Sequence, residues 1–391
     1  MRTKSVSLLV GCLSLVLLGP QSPPISSGGQ DKETLVRYLR DHWQSPEVYV
    51  ISKFMDHDIV FIGEMHRVQH DAELIHHLIP LLYRAGIFNL GIEFGGIEYQ
   101  GSVDSLTTAA NYDEALARRV MFQWSSSWGY NEYMDIYRSA WKLNTSLPAG
   151  ARRFRVVHLN YIPRWDLMSE GNDETQTREA MKKVWYRGDG DAFMADVVIR
   201  EFVSKGEKAL IYSGQHHAFV RYRQPAYDFS KKQLVRLINS RMGNLVYEKI
   251  AGKAFNICLH YPWPAKESFD SNIYPTEGAV DKVMIEFKDK RVGFDVVNSP
   301  FGALKDSVSY YSLGHDSFCL GDFCDGYIYQ MPPKQYVGCT VDTLFITEAN
   351  LREAVHRIPN VKARAYFTNP GQFVEDMRRD ADWQRRLQDL R

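Results

Sequence analysis

The chain has 391 residues with 47 basic and 47 acidic side chains and a formal net charge of zero, so no global field steers it toward nucleic acid or an acidic surface. Hydrophobic residues make up 45% and aromatic residues 13%, ample for a core that encloses a pocket. Small uncharged or amphiphilic ligands fit this balance better than polyanions.

The first segment carries Arg2 and Lys4, an uncharged apolar run from Ser5 to Leu18, then Gly19-Pro20 and a small, turn-prone stretch to Gly29. The apolar run is too short for a bilayer of about 30 Å, so residues 1–29 read as a secretory signal peptide and leave no transmembrane span after cleavage. Leu9-Val10-Gly11-Cys12 also reads as a lipoprotein box that would acylate Cys12. Either reading places the protein outside the cytoplasm, periplasmic or extracellular.

Residues 30–391 are expected to form a single α/β domain. Apolar runs bounded by turn residues predict strands near 58–62, 88–94, 154–159, 208–213, 254–260, 282–287, 292–297 and 326–330. Between the first two, Leu74, Ile75, Leu78, Leu81 and Leu82 recur at helical spacing and stop at Gly86. Strand, helix, strand predicts a mainly parallel central sheet flanked by helices. Residues 102–145 read as a helical insertion, whose Trp124, Trp128, Tyr130 and Tyr133 are expected in core packing, with a lid as the rival role. Residues 172–205 read as two helices, and a less regular portion begins at about 262. Cys319 and Cys324 flank a Gly/Asp-rich loop and are expected to form a disulfide, with free thiols or a zinc site as rivals.

Two of the strands end in one phrase. Ile59-Val60-Phe61-Ile62 runs into Gly63-Glu64-Met65-His66, and Ala209-Leu210-Ile211-Tyr212-Ser213 runs into Gly214-Gln215-His216-His217. Ligands sit at the carboxyl ends of strands in open α/β sheets, so His66 and His217 are placed to face one pocket. Between them Glu93 interrupts the apolar run Leu90-Gly91-Ile92-Glu93-Phe94, and a buried acid costs several kcal/mol unless it is paired, hydrogen-bonded or bound to a metal. In extended chain His216 and His217 point to opposite sides, and the Gly-x-x-His count selects His217 for the pocket. On the first helix His66 and His70 would share a face, while His76 and His77 read as helix surface. Asn160 and His260 end strands on the same rim. Gly-x-Ser-x-Gly, a Gly-rich phosphate loop and His-Glu-x-x-His are all missing, which argues against a serine α/β-hydrolase, a nucleotide enzyme and a zincin.

Gly63-Glu-Met-His66 with His70 and the Leu-rich helix, then Gly91-Ile-Glu93, then Met194-Ala195 ahead of the second strand end, resemble the superfamily that groups the ChaN haem-uptake lipoproteins with the Tiki metalloproteases. More distantly the set resembles the erythromycin esterases. The resemblance covers residues 50–260 and is clearest to the ChaN-like branch. It implies an α/β fold whose pocket is formed by Glu64, His66, Glu93 and His217. Family members differ in function among haem or iron binding, metal-dependent peptide cleavage and ester hydrolysis.

Two functions follow. In the first, a secreted hydrolase cleaves an ester or peptide bond in a small-molecule or peptide substrate. A divalent metal such as Mn, Co or Zn, held by His66, His217 and Glu93 or Glu64, would activate water there. A metal-free version keeps His66 as general base, oriented by Glu64 or Glu93. In the second, the same histidines ligate haem iron or a free metal without turnover. The acid-rich set favours the hydrolase.

Overall fold

The computed structural model describes residues 31–167, 174–188 and 190–390; the expected leader 1–29, including Cys12, lies outside the described residues. The strands in chain order are β1 Ile59–Glu64, β2 Asn89–Gly96, β3 Arg155–Asn160, β4 Ala209–Gly214, the pair β5 Gln224–Asp228 and β6 Gln233–Ile238, β7 Ala254–Leu259, the two-residue pair β8 Trp263–Pro264 and β9 Asn272–Ile273, β10 Val292–Asp295 and β11 Gly326–Tyr329. Seven of them make one sheet in the order β10-β11-β7-β1-β4-β2-β3, parallel throughout except for β10, which runs antiparallel to β11. The α/β class read from the sequence is the fold observed.

The central strands are buried on both faces, as a parallel sheet covered by helices requires. Val60, Ile62, Leu90, Ile92, Leu210 and Tyr212 pack in one apolar cluster, with the helix Gln69–Arg84 and the helices Gln100–Thr108, Glu114–Trp124 and Asn131–Ser146 of the insertion. Their neighbours along the chain, Ile59, Phe61, Ala209 and Ile211, face the opposite cluster, with the helices Asp191–Glu201 and Met242–Ile250. This alternation with a period of two fixes which face each later residue of a strand must take. Glu64 follows Val60 and Ile62, and so enters the face that carries the insertion.

The region after residue 262 supplies β10 and β11 to the sheet and is otherwise loops and short helices. It also returns to the carboxyl edge of the sheet, where single bridges join Val68 to Gly338 and Tyr130 to Val341. Among the described residues no helix is long and apolar enough to cross a membrane.

Two expectations are corrected here. Residues 282–287 are not a strand: Ala279–Glu286 is a helix, because Val280, Val283 and Met284 fall at helical spacing and are buried while Ile285 is 67% exposed. The Cys319–Cys324 disulfide does not form, since both thiols are free. A one-turn helix, Leu320–Phe323, separates them. Cys319 stays at its start, where its thiol donates to Asp322 Oδ2 at 3.1 Å, while Cys324 is buried in the apolar cluster that also holds Cys258.

Candidate functional site

The carboxyl ends of β1, β4 and β2 are adjacent in the sheet, because β4 pairs with β1 on one side and β2 on the other. The structure thereby brings Glu64, His66, Glu93 and His217 to one edge. The glycines make the approach close enough. A Cβ placed on Gly214 would lie 2.7 Å from His66 Cε1, 3.0 Å from His66 Nε2 and 3.4 Å from Glu93 Oε2. On Gly63 it would collide with the side chain of Gln215. Each Gly of the repeated phrase is where one loop passes under the other.

Glu64 is 1% exposed and lies against two aromatic hydroxyls. Tyr133 donates to its Oε1 at 2.6 Å, and Tyr212 donates to its Oε2. Nδ1 of His66 lies 2.7 Å from the same Oε1. A carboxylate accepts only, so this contact puts a proton on Nδ1, with Nε2 at the opposite end of the ring. The ring is set edge-on to Trp128 and Phe94, at centroid distances of 5.1 and 5.6 Å. Arg67, in left-handed backbone with φ 69°, donates its N–H to Tyr133 Oη at 2.9 Å, which orients the hydroxyl toward Glu64.

Glu93 and His217 form the second half. The β2–β3 register slips between Ile92 and Gly96, and Glu93 sits in that irregularity, a usual way for a sheet to re-aim a side chain. Its Oε2 accepts from the Gly214 N–H at 2.7 Å, and its Oε1 lies 3.4 Å from His217 Nε2. Nδ1 of His217 is 2.7 Å from Asp191 Oδ1. Burial opposes charge on both members. On Glu93 the positive charge of His217, their hydrogen bond, His66 and the Gly214 N–H overcome it and bring the carboxyl down to about 2. On His217 the Glu93 charge and the hydrogen bonds to Asp191 and Glu93 overcome it and lift the imidazole to about 10. At neutral pH the unit is an imidazolium held between two carboxylates.

Asp191 joins the candidate site through His217, and sequence reasoning missed it. It opens the helix Asp191–Glu201 behind Gly190, whose φ is 84°, and is fully buried. It accepts from the Met242 N–H at 2.8 Å and from Arg241 at 2.9 Å, in addition to His217. Tyr133 and Tyr212 were missed as site residues as well, being read as core and strand. Gly188-Asp189-Gly190-Asp191 offered a cue to a helix start, but nothing local tied it to His217.

The remaining histidines separate from the site. His216 turns to the other side, as the extended-chain argument requires, between Tyr311 at 3.0 Å and Gln224 at 3.1 Å. Burial, Arg241, His217 and His66 lower it to about 3. His66 precedes the helix, which starts at Gln69, so it shares no helical face with His70. His70 instead packs edge-on to Tyr336 and beside buried Asp71. His76 is not a free surface residue: its Nε2 bonds the Glu132 carbonyl at 2.6 Å, because the insertion covers that side of the helix, while His77 is exposed. Asn160 accepts from the Tyr161 N–H, and His260 is held by Tyr327 and Asp281.

Of the residues expected as metal ligands, His217 and Glu93 face each other at 3.4 Å and His66 faces Glu64 at 2.7 Å. Among the described residues no group of three or more His, Cys, Asp and Glu side chains is arranged to hold a metal ion. Both nitrogens of His217 face carboxylates, Asp191 and Glu93, and Glu93 Oε2 accepts from the Gly214 N–H.

The sequence matches no family model and no curated protein. Its fold is similar to that of a succinoglycan biosynthesis protein, at 10% identity over 77% of this chain and 97% of that one with a TM-score of 0.51. Less similar are an erythromycin esterase mutant, EreC, in its open conformation (11% identity, 71% and 91% coverage, TM-score 0.45) and ChaN of Campylobacter jejuni with cofacial haem binding (14%, 54% and 84%, 0.35). These likenesses concern the fold.

Proposed function

We propose that this chain is a hydrolase that cleaves an ester by water activated on His66, without a metal. The observation that carries the reading is the Glu64–His66 contact at 2.7 Å, with Glu64 itself fixed by Tyr133 and Tyr212. A carboxylate so held keeps the imidazole in one tautomer and stabilises the imidazolium that forms when Nε2 takes a proton from water. The water oxygen bonds to the acyl carbon, and the carbonyl electrons move to oxygen. On their return the C–O bond to the alcohol breaks, and the proton on Nε2 passes to the leaving alkoxide. His217, kept charged by Glu93 and Asp191, offsets part of the negative charge that those two carboxylates bring beside the base. An imidazolium near pKa 10 is a weak acid at neutral pH, which suits a positioning role for His217 better than proton delivery.

Hydrolysis of a panel of aryl esters, alkyl esters and lactones by chelator-dialysed protein tests the reading. Turnover that survives dialysis is the expected result, and activity recovered only on adding Mn, Co or Zn would contradict it. The same sample tests haem, the other ligand the resemblance implies: a saturable absorption band on adding haemin, lost in His66→Ala, together with no ester turnover, would replace hydrolysis with haem binding. We also infer export through residues 1–29, tested by N-terminal sequencing of protein from the host; an intact Met1 on exported chains would contradict it.

A further inference from the structure

A second concavity lies on the same edge of the sheet, two strands away from the candidate site. It has a volume of about 600 Å³ and opens beside the ends of β7 and β11. That size suits a small molecule, since ligand pockets run from roughly 300 to 1,000 Å³. The wall is mostly apolar and aromatic: Tyr274, Tyr329, Ile273, Ile285, Val308 and Pro332.

The polar groups inside are chiefly acids that the protein holds in place. Asp281 is fixed through Oδ1 by His260 Nε2 at 3.1 Å, and its buried Oδ2 has no hydrogen-bond partner. Asp289 is fixed by the Tyr329 hydroxyl at 3.0 Å, and Glu277 by the Ser307 hydroxyl at 3.2 Å. Lys282 also lines the space, but its ammonium is turned to the Glu277 carbonyl at 3.3 Å; Lys334 stands beside it, on the exposed surface. Glu277 and Asp289 both occupy left-handed backbone, with φ of 55° and 50°. Such conformations cost about 1–3 kcal/mol each and persist where a particular side-chain placement is enforced. An apolar pocket with carboxylates inside and an unsatisfied oxygen behind one of them matches a ligand with an apolar ring and a cationic end.

We propose that this pocket binds a small apolar molecule bearing a protonated amine, its ring against Tyr274, Tyr329 and Ile285 and its ammonium directed to Asp281 and Asp289. Neither residue belongs to the hydrolytic site, so the proposal stands apart from the ester reading.

Titration of the purified full chain with tryptamine, indolepropionate and skatole, followed by NMR or calorimetry, tests it with three probes that share a ring and differ in charge. Tryptamine is expected to bind saturably and about tenfold more tightly than either analogue, the ratio one good charge contact supplies. Ile285→Arg, at a 67% exposed position on the wall, should weaken tryptamine at least tenfold by filling the space and adding a like charge. Asp281→Asn should do the same, and if its loss of a buried partner prevents folding, Ile285→Arg decides alone. His66→Asn should leave tryptamine binding unchanged. No saturable binding of tryptamine below about 5 mM, tighter binding of indolepropionate, or full affinity in Ile285→Arg would each overturn the assignment.

Discussion

Gly214 and His66 approach so closely that no side chain fits between them: a Cβ on Gly214 would lie 2.7 Å from His66 Cε1. The glycine that ends β4 sets the position of the imidazole that follows β1. Gly214→Ala should therefore displace His66 from its contact with Glu64 while leaving the buried strands in place. A loss of ester turnover of about 10²-fold or more, with circular dichroism unchanged, is the expected result, since small misplacements of a reacting group cost that much. Wild-type turnover in the variant would show that His66 need not sit where it does.

Tyr133→Phe removes one of the two hydroxyls that hold Glu64 and takes an acceptor from the Arg67 N–H. The ring itself is fully buried and keeps its packing. Stability should fall by about 1–3 kcal/mol, the usual cost of a buried polar group left unpaired. Turnover should drop through kcat with KM nearly constant, because Tyr133 acts on the base through Glu64. A KM effect with kcat unchanged would place Tyr133 at the substrate instead.

His217 gives a pH signature in stability. Its folded-state pKa of about 10 lies above the ordinary 6.5, so the stabilisation from its charged state is complete below 6.5 and is lost as pH rises toward 10. Glu93, lowered to about 2 from 4.5, contributes stability that is complete above 4.5 and lost as pH falls toward 2. Melting temperatures of wild type and His217→Gln at pH 6 and pH 10 should converge at the alkaline value. A gap between them that is constant across that window would contradict the raised imidazole.

The cysteines separate two accounts of one loop. Cys319→Ser keeps a hydroxyl for Asp322 at a helix start and should change stability by less than about 0.5 kcal/mol. Cys324→Ser puts a hydroxyl into the apolar cluster around Cys258 and Tyr327, and should cost about 1–3 kcal/mol. Equal losses from both variants, abolished by reductant, would restore the disulfide that the structure lacks.

The sheet was legible in the sequence because its buried parallel strands are short apolar runs, and β1 and β4 stop at a Gly-x-x-His phrase. The shared edge of His66, Glu93 and His217 was legible for the same reason. Their partners were not. Tyr133 belongs to an aromatic-rich insertion where core packing is the ordinary use of such rings, and only the folded chain puts its hydroxyl on Glu64. Asp191 reads as a helix start, and its bond to His217 spans 26 positions. That bond and the Glu93 contact hold His217, expected as a metal ligand, between two carboxylates. The helix Ala279–Glu286 misread as a strand because Val283, Met284 and Ile285 are contiguous and apolar, while their period shows only in which of them is buried.

The most direct measurement is kcat/KM of His66→Asn on whichever ester the chelator-dialysed wild type turns over. Asparagine keeps a polar group beside Glu64 but cannot take a proton from water. The account predicts a fall of about 10²- to 10⁴-fold, the range that a general base supplies, with melting temperature and tryptamine binding unchanged. Turnover within about threefold of wild type would contradict the assignment of His66 as the base.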